Sequence, residues 1–155
     1  MLPVCPLPDP TKTFLYQHPV TLLAMCIWGE ARGDVRQAQI GVGCVVRNRL
    51  YRHWMGAKTY ADVVLRPYQF DCFLTSDPNS AKLLKPTQYD EPTIWDACYY
   101  AALQIMLPDV VESVPDITDG AVFYYSKPIS APPKAWGDVV LTHQFGDTWF
   151  YKDVT

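Results

Sequence analysis

An apolar run that ends on an acid constrains this chain more than any other feature. Residues 21–31 read TLLAMCIWGEA, dense in helix formers and uncharged until Glu30. Five prolines lie within residues 1–19, and Gly33 follows the run as a natural helix stop. On a helix, Leu23, Cys26, Ile27 and Glu30 fall at i, i+3, i+4 and i+7, so the carboxyl group continues an apolar stripe. Burying a carboxyl there disfavours its charged form, and an acid still protonated near neutrality can donate a proton in catalysis. Helical spacing alone leaves a second reading open, in which Glu30 pairs with Arg32 or Arg36 at the helix end. The other two glutamates have plain explanations: Glu91 precedes Pro92 at a helix start, and Glu112 sits in a polar loop.

The remaining elements follow from caps and breakers. Asp34, with Gln37 three positions on, predicts a capping box for a helix over about 35–52, with Val35, Ala38, Val42, Val45 and Arg49 on one stripe. The Gly41–Gly43 pair in that helix lacks the third glycine and the preceding strand of a nucleotide loop, and reads as close helix packing. Thr59 and Asp62 open a short helix that Pro67 stops. Residues 66–90 form a long loop with turns, a place where function concentrates. Pro92 starts a helix with Ile94, Trp95, Cys98, Ala101, Ala102 and Ile105 inside, and Pro108 ends it. DITDG is a turn, AVFYY a short strand and KPISAPPKAW an extended loop; DVVLTHQF and TWFYK are strands joined at Gly146–Asp147. Helices first and strands last predict an α+β fold, and 155 residues are most simply one domain, 1–155, with 1–19 as a proline-rich arm.

Ten Tyr, six Phe and five Trp supply rings for a core, a sugar-stacking groove, or both. Five cysteines without a C-x-x-C pair read as free, mostly buried thiols. The first residues lack the basic segment of a signal peptide, and no apolar stretch approaches the roughly 20 residues of a membrane span. His18, His53 and His143 are isolated, so no metal site and no cofactor are expected.

WGEARGD at 28–34, followed by AQIGVGCVVRNR, resembles the family of spore cortex-lytic and cell-wall hydrolases typified by SleB. YADVVLRPYQFDC and DITDGAVFYYSKPISAPPKAW continue the likeness in order, covering the chain from about residue 20 to the end. The resemblance implies a mainly helical, lysozyme- or lytic-transglycosylase-like domain with a small C-terminal antiparallel sheet. It implies cleavage of peptidoglycan glycan strands with Glu30 as the catalytic acid. Trp28 and Phe70 are then candidates for stacking on sugars, with Trp136 a weaker one, and Gln69, Tyr124, Tyr125 and Ser126 for holding N-acetyl and hydroxyl groups. Three positions depart from the family pattern: Asp34 replaces a glutamate, Ser126 an asparagine and Thr148 a histidine, with His143 five residues before the last.

A lytic transglycosylase needs one carboxyl group, whereas a hydrolytic muramidase needs a second, for which Asp34, Asp71 and Asp119 are candidates. A catalytically inactive glycan-binding or virion module is the rival from another class. A cysteine peptidase built on Cys26 or Cys72 with His143 lacks a nucleophile motif. All six arginines fall between Arg32 and Arg66, but the net charge of −3 and the buried position of Arg49 argue against nucleic acid. The expectation is a monomer without membrane insertion, made in the cytoplasm without a signal peptide, acting on the wall after phage-mediated release as an endolysin.

Overall fold

The computed structural model describes residues 5–107, 114–126 and 131–154. Pro108, Glu112 and residues 127–130 of the proline-rich loop lie outside the described residues. Helix α1 (Pro19–Ala31) opens on a proline whose missing N–H costs no bond there, and His18 Nδ1 accepts from Val20 N at 3.2 Å. Every residue from Val20 to Trp28 is buried, so the apolar run is wrapped on all sides rather than along one stripe. Its wrapping comes from α2 (Arg36–Tyr51), α3 (Tyr60–Val64) and α4 (Pro92–Met106). Full burial of Leu22, Leu23, Met25 and Ile27 contributes roughly 1.5–3 kcal/mol each relative to exposure. Among the described residues no helix is long and apolar enough to cross a membrane.

The glycines of GVG are close-packing positions on opposite sides of α2. A Cβ at Gly43 would lie 2.7 Å from Ile105 Cγ1, and one at Gly41 would overlap the ring of Phe150. The capping box expected of Asp34 and Gln37 does not form. Val35 is the N-cap of α2, without side-chain help, and is 45% exposed instead of heading the buried stripe. Asp34 accepts from Val35 N at 2.7 Å, from Asp147 N at 3.1 Å and from Thr148 Oγ1 at 2.7 Å, so a tertiary demand outweighs the local one. The capping box of Thr59 and Asp62 on α3 is present, and Trp95, Cys98, Ala101, Ala102 and Ile105 are buried on α4.

Three consecutive side chains of α2 then fix the path from α4 to the sheet. Arg47 donates to Ile105 O and Val114 O, Asn48 to Asp116 Oδ2 and Ala121 O, and Arg49 to Val122 O. Arg47 and Arg49 are buried, so the arginine-rich helix is a staple inside the molecule. The 116–120 turn is held by Asp116, which accepts from Thr118 N, Thr118 Oγ1 and Gly120 N. Strands β1 (Phe123–Tyr125), β2 (Val139–Phe145) and β3 (Thr148–Asp153) form an antiparallel sheet in the order β1-β3-β2. Tyr124 pairs with Phe150, and both rings turn towards α2. Phe123 and Tyr151 face the other way, onto Trp136. All five cysteines are unpaired and four are buried.

Candidate active site

The wrapping of α1 opens at its last turn. Glu30 is there, on a cleft of about 710 Å³ between the helices and strand β1. The pairings that would neutralise it are absent: Arg32 Nε contacts Asp90 at 3.0 Å and its guanidinium lies 4.0 Å over the Trp28 ring, while Arg36 donates to Gln104. Burial pushes the Glu30 carboxyl up to about 7. Hydrogen bonding from Tyr124 and Cys72 opposes the shift, and the charges of Asp71 and Asp77 add to it. Burial, with the Glu30 charge second, also raises the Tyr124 hydroxyl well above its usual range, so Tyr124 remains a donor beside the carboxyl.

Gln69, Tyr124, Tyr125 and Ser126 line this cleft with Glu30, as do Asp71 and Trp136. Trp28 and Phe70 do not. Trp28 is 0% and Phe70 2% exposed, so neither can stack on a sugar. Trp28 carries Arg32, and Phe70 supports Tyr124 with ring centroids 6.3 Å apart. A sequence marks a ring as apolar but not which side of the core wall it occupies. Of the candidate second carboxylates only Asp71 reaches the cleft: Asp34 holds the hairpin, and exposed Asp119 contacts Lys152 Nζ at 3.6 Å. His143 is exposed on β2, stacked on Phe145 and away from the cleft. Thr148 bonds to Asp34, so two of the three departures from the family pattern touch each other.

Sequence reasoning missed part of the rim. Trp54, Met55 and Tyr68 line the cleft, and Tyr68 is 79% exposed. Gln69 N bonds to Arg66 O across a turn that puts Tyr68 at its third position with φ 65°. Glycine is usual there, and Met55 shares the positive φ at 52°. Such outliers in non-glycine residues concentrate where the backbone serves a site. Pro67 signalled the turn, but nothing in the sequence signalled a strained tyrosine.

A buried helix brings a protonatable glutamate to an aromatic-walled cleft, an arrangement that suits an enzyme cleaving a glycan. The chain belongs to the cell wall hydrolase family, whose profile matches residues 33–151. That match begins at Gly33, three residues after Glu30. The fold is shared with the catalytic domain of the germination-specific lytic transglycosylase SleB from Bacillus anthracis, at TM-score 0.62 and 19% identity over 86% of this chain and 93% of that one. The catalytic domain of Bacillus cereus SleB gives TM-score 0.58 and 20% identity over 86% and 89%. No curated protein sequence matches the chain significantly.

Proposed function

We propose that the protein cleaves peptidoglycan glycan between N-acetylmuramic acid and N-acetylglucosamine as a lytic transglycosylase, with Glu30 as acid and then base. The observation that carries this is a carboxyl group held near neutrality, pKa about 7, on an aromatic-walled cleft. Protonated Glu30 donates to the glycosidic oxygen as the bond from C1 of the muramic residue breaks. The resulting carboxylate takes the proton of that residue's C6 hydroxyl, whose oxygen closes on C1. The products are a 1,6-anhydro end and a free 4-hydroxyl, and Glu30 regains its proton. Gln69, Tyr124, Tyr125 and Ser126 hold the sugar by hydrogen bonds, and Trp136 and Tyr68 offer ring faces.

Asp71 favours a second reading, a hydrolytic muramidase, because its charge is felt at Glu30. Digestion of purified sacculi by wild type and Glu30→Gln, with muropeptide ends read by mass spectrometry, separates the two. Anhydro ends that vanish in Glu30→Gln support the transglycosylase. Reducing ends mean hydrolysis, and no release by wild type removes the enzymatic reading. An endolysin role belongs to the same proposal. It is supported by five unpaired cysteines, which suit a reducing site of synthesis. Its test is whether cytoplasmic expression lyses cells only when a membrane lesion is induced.

A further inference from the structure

Arg49 is 5% exposed and forms part of the cleft floor. A buried guanidinium usually faces a carboxylate, yet none pairs with Arg49 among the described residues. Its Nε donates to Val122 O at 2.8 Å and its Nη1 to Gln69 Oε1 at 3.3 Å. The rings of Trp54, Phe70 and Phe123 surround it, with centroids 5.4–5.8 Å from the guanidinium carbon. A guanidinium has five N–H donors and no acceptor. The Gln69 atom facing it must therefore be the carbonyl oxygen, which turns the Nε2 amide away from Arg49. No described residue accepts from Nε2, and Gln69 lines the cleft.

We propose that Arg49 is a positioning residue that locks Gln69 as a hydrogen-bond donor, creating a subsite that takes the carbonyl of an N-acetyl group and rejects the ammonium of a de-N-acetylated amino sugar. An acetyl carbonyl brings the acceptor that Gln69 Nε2 lacks. An ammonium brings only donors, against a fixed cation and a fixed donor, and finds no partner. The location of the sugar rests on the glycan-cleaving reading, whereas the selectivity is a binding property measurable without turnover.

In the Glu30→Gln protein, tryptophan fluorescence reports ligand binding because Trp54 and Trp136 line the cleft. The N-acetylglucosamine tetramer is expected to bind about tenfold more tightly than the glucosamine tetramer, the worth of one hydrogen bond to a fixed donor. Adding Gln69→Glu places a carboxylate beside Arg49, so the fold is kept and the melting temperature holds or rises. The donor is lost: the acetylated tetramer weakens about tenfold and the glucosamine tetramer tightens. Arg49→Lys keeps the charge but not the two-pronged grip, and the ratio falls part-way because Gln69 is free to turn over. An unchanged ratio in Gln69→Glu overturns the proposal, as does equal binding of both tetramers by the parent; if Arg49→Lys fails to fold, Gln69→Glu still decides. Acetyl-selective binding without fragment release from sacculi by wild type overturns the cleavage reading alone.

Discussion

Glu30 is a carboxyl whose proton affinity the fold has raised, and the consequence extends to both activity and stability. In its proposed role of general acid it must hold its proton, so kcat/KM on sacculi is expected to fall as pH rises through about 7. For stability, an unfolded glutamate titrates near 4.5 and the folded one near 7, so between these values the native state holds a proton the unfolded chain has released. The stability from burying the neutral acid is fully present below pH 4.5 and lost as pH rises through about 7. Its size is on the order of 3 kcal/mol. Glu30→Gln carries no titrating group, so its melting temperature relative to wild type is higher at pH 8 than at pH 4. Thermal melts of both proteins at the two pH values measure this, and a pH-independent difference would mean that the carboxyl titrates normally. Glu30 stood out in the sequence as an acid in an uncharged run, but its spacing left pairing with Arg32 or Arg36 open, and its proposed role came from the family resemblance. The tyrosine that bonds it, Tyr124, is on a strand near the other end of the chain, and only the fold brings them together.

At the scale of elements, what could be read depended on the range of the interaction. The α3 capping box and the proline start of α4 are local, decided within four residues, and stood where the sequence put them, whereas α1 begins at Pro19, inside the stretch read as an arm. Asp34 was misread because its partners, Asp147 and Thr148, are 113 and 114 residues away. The β2–β3 hairpin hangs on that carboxylate. Gly146, with φ 56°, is in the turn, and a Cβ there would overlap Asp34 Oδ1. Asp34→Ala strands two backbone N–H groups and a hydroxyl, and destabilises the protein by about 1–3 kcal/mol. Gly146→Ala is destabilising in wild type through both the overlap and the left-handed backbone. In the Asp34→Ala background the overlap with Oδ1 is gone, leaving the backbone cost and the 3.0 Å approach to Val35 Cγ2, so the two losses do not add. Denaturant unfolding of the four proteins gives the coupling; strict additivity would show that the aspartate and the turn act independently.

The whole molecule is a helical body and a small sheet that share one cleft, with Glu30 supplied by α1 and Tyr124 and Tyr125 by β1. In the proposed mechanism their relative placement is a catalytic variable, and it depends on Gly41. Two effects oppose each other when Gly41 becomes alanine. Helix propensity favours the change by about 1 kcal/mol. Overpacking opposes it by about 1–3 kcal/mol, because the three nearest atoms belong to the single rigid ring of Phe150 on β3, which cannot fold away as a flexible chain end would. Overpacking wins, and it acts by pushing β3, and β1 with it, away from α2. Gly41→Ala should thus keep its far-ultraviolet helical signal yet lose sacculus-cleaving activity about tenfold or more, since a displacement near 1 Å costs that much in a positioned site. Shortening the ring restores the space: Phe150→Leu in the Gly41→Ala protein should recover activity relative to Gly41→Ala alone, although Phe150→Leu by itself leaves a void. Equal activity of Gly41→Ala and wild type, or failure of the double variant to recover, would place the sheet outside the catalytic geometry.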